Sequence, residues 1–162
     1  MPTATYIPLA TVTVGTSVTS VTFSNIPGIA SYRDLVLVSD TVASGNAGYY
    51  IQFNGDTGNN YSYLYALGDS SSVLSDVQPN IDSVRMGNTS TARGTHRLNI
   101  MDYSATDKHK TILVRSDISN ATGTWMFTNR WASTAAVTSF RIFILSNTLS
   151  SGTTFSLYGI KG

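Results

Sequence analysis

The sequence predicts an all-β protein: an antiparallel β-sandwich with jelly-roll-like connections and about ten strands, in one domain over residues 1–162. Three observations carry this. No segment holds an apolar stripe of helical period, whereas many short runs alternate with period two between Gly, Asn, Asp and Ser clusters. The composition disfavours helices: the chain has no Glu and only three Lys, against 22 Ser and 22 Thr. Two continuous apolar runs, Leu35–Val38 and Ile142–Leu145, read as strands buried on both faces, and each is far too short to cross a bilayer.

In chain order, Tyr6–Val14 reads as a first strand whose Pro8 marks an edge. Val21-Thr22-Phe23 alternates, and Asn25-Ile26-Pro27-Gly28 turns the chain into Tyr32–Val38. Tyr49–Phe53 and Tyr61–Leu67 flank a loop of Asn, Gly and Asp and read together as a hairpin. The polar stretch from Gly68 to about Asn80 reads as a long mobile loop. Ser83–Met86, Thr95–Met101, Thr111–Arg115, Thr124–Trp131, Ser139–Leu145 and Thr153–Ile160 supply the remaining strands, with a turn at Asn120–Gly123 and room for one helical turn at Ala132–Val137. Two packed sheets leave edge strands free to pair with another chain.

The chemistry of the side chains is mostly exclusion. With no cysteine there is no disulfide framework, thiolate nucleophile or zinc–thiolate site. A formal net charge of +1, with 12% of residues charged, gives no footprint for nucleic acid or an anionic membrane. The opening Met1–Leu9 has no basic region followed by a long apolar run, so it does not read as a secretory signal. Of the two histidines, His96 lies within a strand and His109 within Lys108-His109-Lys110, which reads as a solvated turn; neither has a nucleophile elbow or a metal-ligand spacing around it. All nine acids are Asp and sit at turns or strand ends, so they read as turn formers rather than a glycosidase pair. No phosphate-binding loop opens a helix, and the sequons at Asn60, Asn88 and Asn120 read as chance in a chain this rich in Ser and Thr. No catalytic residue, metal or cofactor is expected. The loop residues Asn54, Asp56, Asn59 and Asn60 are rich in oxygen, but one carboxylate is a poor start on the six to eight hard ligands of a calcium site. A surface so weakly charged and rich in hydroxyls lacks the usual protection against association, which points to life in an assembly. The tyrosines around the loop add to this: alternate residues of a strand face opposite ways, so some should be exposed, as interface residues or as platforms for sugar rings.

Phe53-Asn54-Gly55-Asp56-Thr57-Gly58-Asn59-Asn60-Tyr61-Ser62-Tyr63 resembles a group of small virion proteins of tailed bacteriophages, including phages of marine and freshwater bacteria. Tyr6–Leu9, Ser20–Pro27 and Tyr32–Leu37 are similar to the opening of that group, and Gly152–Ile160 to its end, so the likeness spans nearly the whole chain. The resemblance implies a β-sandwich with a structural, non-enzymatic role on the particle. The expected function is capsid decoration: a cement protein, made in the bacterial host cytoplasm, that binds the major capsid protein on the outside of the shell as a dimer or trimer. The alternative is a tail-fibre or receptor-binding module that recognises a host surface glycan; the absence of a heptad stalk or collagen-like repeat favours decoration. The candidate interface residues are Tyr6, Ile7, Tyr49, Tyr61 and Tyr63. No nucleic-acid or membrane partner is expected.

Overall fold

A computed structural model describes residues 5–28, 32–69, 71–118 and 123–162. Twelve strands run in order: β1 Tyr6–Thr13, β2 Ser20–Phe23, β3 Asp34–Thr41, β4 Ala47–Phe53, β5 Tyr61–Gly68, β6 Val73–Ile81, β7 Val84–Thr89, β8 Gly94–Met101, β9 Lys110–Ile118, β10 Thr124–Trp131, β11 Phe140–Ile144 and β12 Thr154–Ile160. They form two antiparallel sheets, one of eight strands ordered β1-β12-β3-β8-β9-β10-β5-β6 and one of four ordered β2-β11-β4-β7. The four strands β1-β12-β3-β8 against β2-β11-β4-β7 interleave the two ends of the chain, a jelly-roll-like winding. The hairpins β5–β6 and β9–β10 then pair with each other and widen one sheet from four strands to eight.

The core lies between the sheets. Leu35, Leu37, Leu98, Ile100, Ile112, Phe155 and Leu157 from the large sheet meet Tyr49, Ile51, Phe53, Phe140 and Ile142 from the small one. Neither apolar run is buried throughout: in Ile142–Leu145 the burial stops at Leu145, which is exposed, and in Leu35–Val38 it stops at Val38, which is partly exposed on the outer face. Asn129 joins the sheets where strand pairing cannot. Its amide accepts from Arg85 N–H at 2.9 Å and donates to Arg85 C=O at 3.2 Å, so a β10 side chain stands in for a neighbouring strand at the free edge of β7.

Several expectations are corrected. The Tyr49–Tyr63 stretch is not a hairpin. Asn54 and Gly55 do take positive φ, 52° and 72°, and Asp56 N–H closes the turn on Phe53 C=O, but β4 pairs with β11 and β7 while β5 pairs with β10 and β6. The turn therefore starts a crossing between sheets. The polar stretch after Gly68 is not a long loop either, since Val73–Ile81 forms the edge strand β6. Ala132–Val137 has no helical turn. The expected turn at Asn120–Gly123 lies, apart from Gly123, outside the described residues. Lys110 is buried rather than solvated; its Nζ donates to the carbonyls of Ala105, Lys108 and Thr134 at 2.6, 3.0 and 3.4 Å, which fills its three donors, and burial lowers its pKa.

Candidate interaction surface

The Asn-Gly-Asp loop is a structural knot. Asp56 accepts from Trp131 Nε1 at 2.7 Å, from Gly58 N–H at 2.9 Å and from Asn60 Nδ2 at 3.1 Å. Partial burial pushes its pKa up, but these donors outweigh burial and the carboxyl lies below its ordinary value. Asn54 Oδ1 accepts from the backbone of Thr138 and Ser139, and its Nδ2 donates to Ala136 C=O. The Asp56 carboxylate and the Asn54 amide oxygen are thus turned to donors of the chain itself. Among the described residues, no group of three or more His, Asp, Glu or Cys could hold a metal ion.

Two of the proposed interface tyrosines belong to this interior. Tyr61 is buried beside Trp131, donates its hydroxyl to Asp56 C=O and accepts from Phe53 N–H; Tyr49 is buried with its hydroxyl on Ser39. Burial raises the pKa of both phenols. Neither ring is free to meet a partner, because Tyr49 lies in β4 and Tyr61 at the start of β5, both within the core between the sheets. Tyr63 is half-buried on the inner face of β5, and Ile7 is part-buried. Tyr6 is exposed on the outer face, where its ring meets Tyr158 edge-on at 6.4 Å.

His96 is buried too. Its ring nitrogens lie 2.7 Å from Ser116 Oγ and 3.0 Å from Thr41 Oγ1. A serine hydrogen-bonded to a histidine is the first half of a nucleophilic site, but all three side chains are sealed from solvent and the third partner is a hydroxyl. Burial lowers the pKa of His96 to about 4, against smaller opposing effects of Met86 and Asp40. This cluster holds β3, β8 and β9 together.

What the fold leaves open is the outer face of the large sheet. Its cross-strand rows follow from the registers. One row runs Leu113–Thr128–Leu64–Val77, and the next runs Val38–Arg97–Arg115–Met126–Ala66. Met126 is 62% exposed, Val77 56%, Leu64 50% and Leu113 44%. A shallow groove of about 270 Å³ lies between Arg97, Arg115, Leu113 and Met126. At about 4.8 Å between strands and about 3.3 Å per residue, eight strands of seven residues present roughly 800 Å². That matches the roughly 800 Å² per partner of a standard interface.

Of the residues expected at an interface, this face contains only Tyr6. The others that form it had a signal in the sequence: Leu98 and Ile100 alternate with Arg97 and Asn99, so the partners of inward residues had to point out. The inner face of the widened half shows a different pattern. Beyond the edge of β7, Tyr63, Tyr65 and Trp125 are half-buried and pack on one another and on Phe127, with centroids 5.5–6.3 Å apart. No family model, curated protein or solved structure matches this chain.

Proposed function

We propose that this chain is a structural protein of a bacteriophage virion, a decoration protein that docks on the outside of the assembled shell and stabilises it by added burial. The observation that carries this reading is the outer face of the eight-stranded sheet, which leaves Leu64, Val77, Leu113 and Met126 exposed among polar side chains and has the extent of a standard interface. The resemblance of the sequence to small virion proteins supports it, as does a surface of hydroxyls with few charges. Closed symmetry would repeat the contact over a dimer or trimer. The test is the number of copies per purified particle. Hundreds of copies in fixed ratio to the major capsid protein are expected; absence from the particle would sink the reading.

A second reading, a module that binds a host glycan, has its own observation. The half-buried aromatic strip Tyr63, Tyr65 and Trp125 faces the polar side chains of Asp76 and Gln78, which stand opposite Tyr65 and Tyr63 on β6. Flat apolar rings flanked by a few polar groups suit small polar ligands. Binding of the isolated protein to host envelope glycans, lost on Trp125→Ala, would favour it over decoration.

A further inference from the structure

Arg97 and Arg115 stand directly opposite one another on β8 and β9, on the uncovered face. Like charges placed directly opposite across two strands destabilise a sheet. Neither arginine has a carboxylate to offset this. The ion pairs among the described residues are Arg33–Asp34, Arg93–Asp40 and Lys108–Asp102. Arg97 donates to the Tyr6 hydroxyl at 2.8 Å and to Asn99 Oδ1 at 3.4 Å, and lies 5.9 Å from the centre of the Tyr6 ring. The Arg115 guanidinium has no hydrogen-bond or ion-pair partner among the described residues. The nearest acid on that face along β9, Asp117, pairs across the sheet with Thr95 and Thr124, and it forms no ion pair with Arg115.

We infer that the protein surface covering this face carries Asp or Glu carboxylates flanked by apolar side chains, received by Arg97 and Arg115 above the groove they share with Leu113 and Met126. This rests on the reading that the face is a docking surface. Charge complementarity selects the occupant. Two guanidinium forks with no carboxylate partner among the described residues, one of them with no hydrogen-bond partner there either, are matched by carboxylates, which they hold in bidentate pairs. The aliphatic neighbours would dry those pairs and strengthen them. A phosphate backbone would call for a basic stripe, and the formal net charge of the chain is +1.

The experiment is co-sedimentation with particles assembled without this chain, comparing wild type, Arg115→Glu, Arg97→Glu/Arg115→Glu and Arg97→Lys/Arg115→Lys. Wild type should bind, and bind more weakly as salt rises from about 50 to 500 mM. Either glutamate variant should lose affinity by about tenfold or more, and the lysine pair should fall between, because an ammonium keeps the charge but not the fork. Arg115→Glu turns the like pair into an opposite one, so its melting temperature should hold or rise by on the order of 1–4 °C. A loss of binding with no loss of stability separates a docking role from a folding one. If the double glutamate variant binds as wild type does, this inference is overturned and the docking reading survives. If wild type does not sediment with the particles, the reading fails and takes the inference with it. Tighter binding to duplex DNA than to particles would make phosphate the occupant and overturn the carboxylate assignment.

Discussion

Strands β3 and β6 belong to the same sheet and carry four aliphatic side chains each, yet they meet opposite fates. In β3, the inward-facing Leu35 and Leu37 are buried; in β6, Val73, Leu74 and Val77 are all exposed, Val73 by 82%. The difference is position. β3 lies between β12 and β8 with the small sheet across the core, while β6 is the last strand of a sheet that extends past its cover. Composition alone therefore does not decide burial in a sheet; the facing layer does. Where that layer ends, the chain covers itself with rings on the inner side, as Tyr65, Trp125 and Phe127 do, and leaves aliphatic groups open on the outer side.

Truncating a buried residue of β3 should give the largest effect. Leu37→Ala in β3 should cost about 2–5 kcal/mol, the range for a buried leucine whose site cannot collapse, measured by urea unfolding. An effect under about 1 kcal/mol would mean that the core around β3 is loose.

Acid should give the next largest effect. His96 is buried between β3 and β9 with a pKa lowered to about 4, so the unfolded chain binds the extra proton between about pH 4 and 6.5. Stability should be complete above about pH 6.5 and fall by on the order of 3 kcal/mol as the pH drops to about 4. The measurement is the unfolding free energy against pH for wild type and His96→Gln; an equal slope in the variant would remove His96 as the cause.

A smaller effect is expected at Gly87, where β7 packs against Ser116 of β9. Its φ is +122°, and a Cβ there would stand 2.3 Å from Ser116 Oγ. Met86 beside it is the unpaired residue of a bulge opposite β4. Gly87→Ala should destabilise by about 1–3 kcal/mol through strain and displacement of Ser116. A melting curve like that of wild type would show that β7 can shift without cost.

The smallest effect belongs to the widened half. Leu64→Ser and Val77→Ser, neighbours across β5 and β6, should change stability by no more than about 0.5 kcal/mol. They should nonetheless reduce association at high concentration, read by light scattering, because they remove exposed apolar area. A large loss of stability would mean that the outer face packs on something within the chain.

Much of the architecture is legible in the sequence. Period-two alternation placed β8 and β10, continuous apolar runs placed β3 and β11, and Asn54-Gly55 announced a turn that does take positive φ at both residues. These are local properties, set by sterics and by which side chains avoid water within a few residues. The pairing of strands was not legible. The turn at Asn54 suits a hairpin, but Asp56 is tied to Trp131 and Asn54 to the backbone of Thr138 and Ser139, and these distant bonds send β5 into the other sheet. β6 is not legible because an edge strand has no buried face to impose a pattern on its sequence, and neither is the burial of Lys110, because it needs Thr134, 24 residues on, to close over an ammonium that Ala105 and Lys108 hold locally.

The sequence by itself thus determined the all-β class, the positions of most strands and the absence of cysteine chemistry, since each follows from local propensity or plain composition. Only the tertiary structure decided which face stays uncovered. That Arg97 and Arg115 oppose each other, and that Tyr49 and Tyr61 lie inside while Leu64 and Met126 lie outside, depends on register between strands far apart in the chain. Register is fixed by the sum of many weak long-range contacts, and no short stretch of sequence contains it.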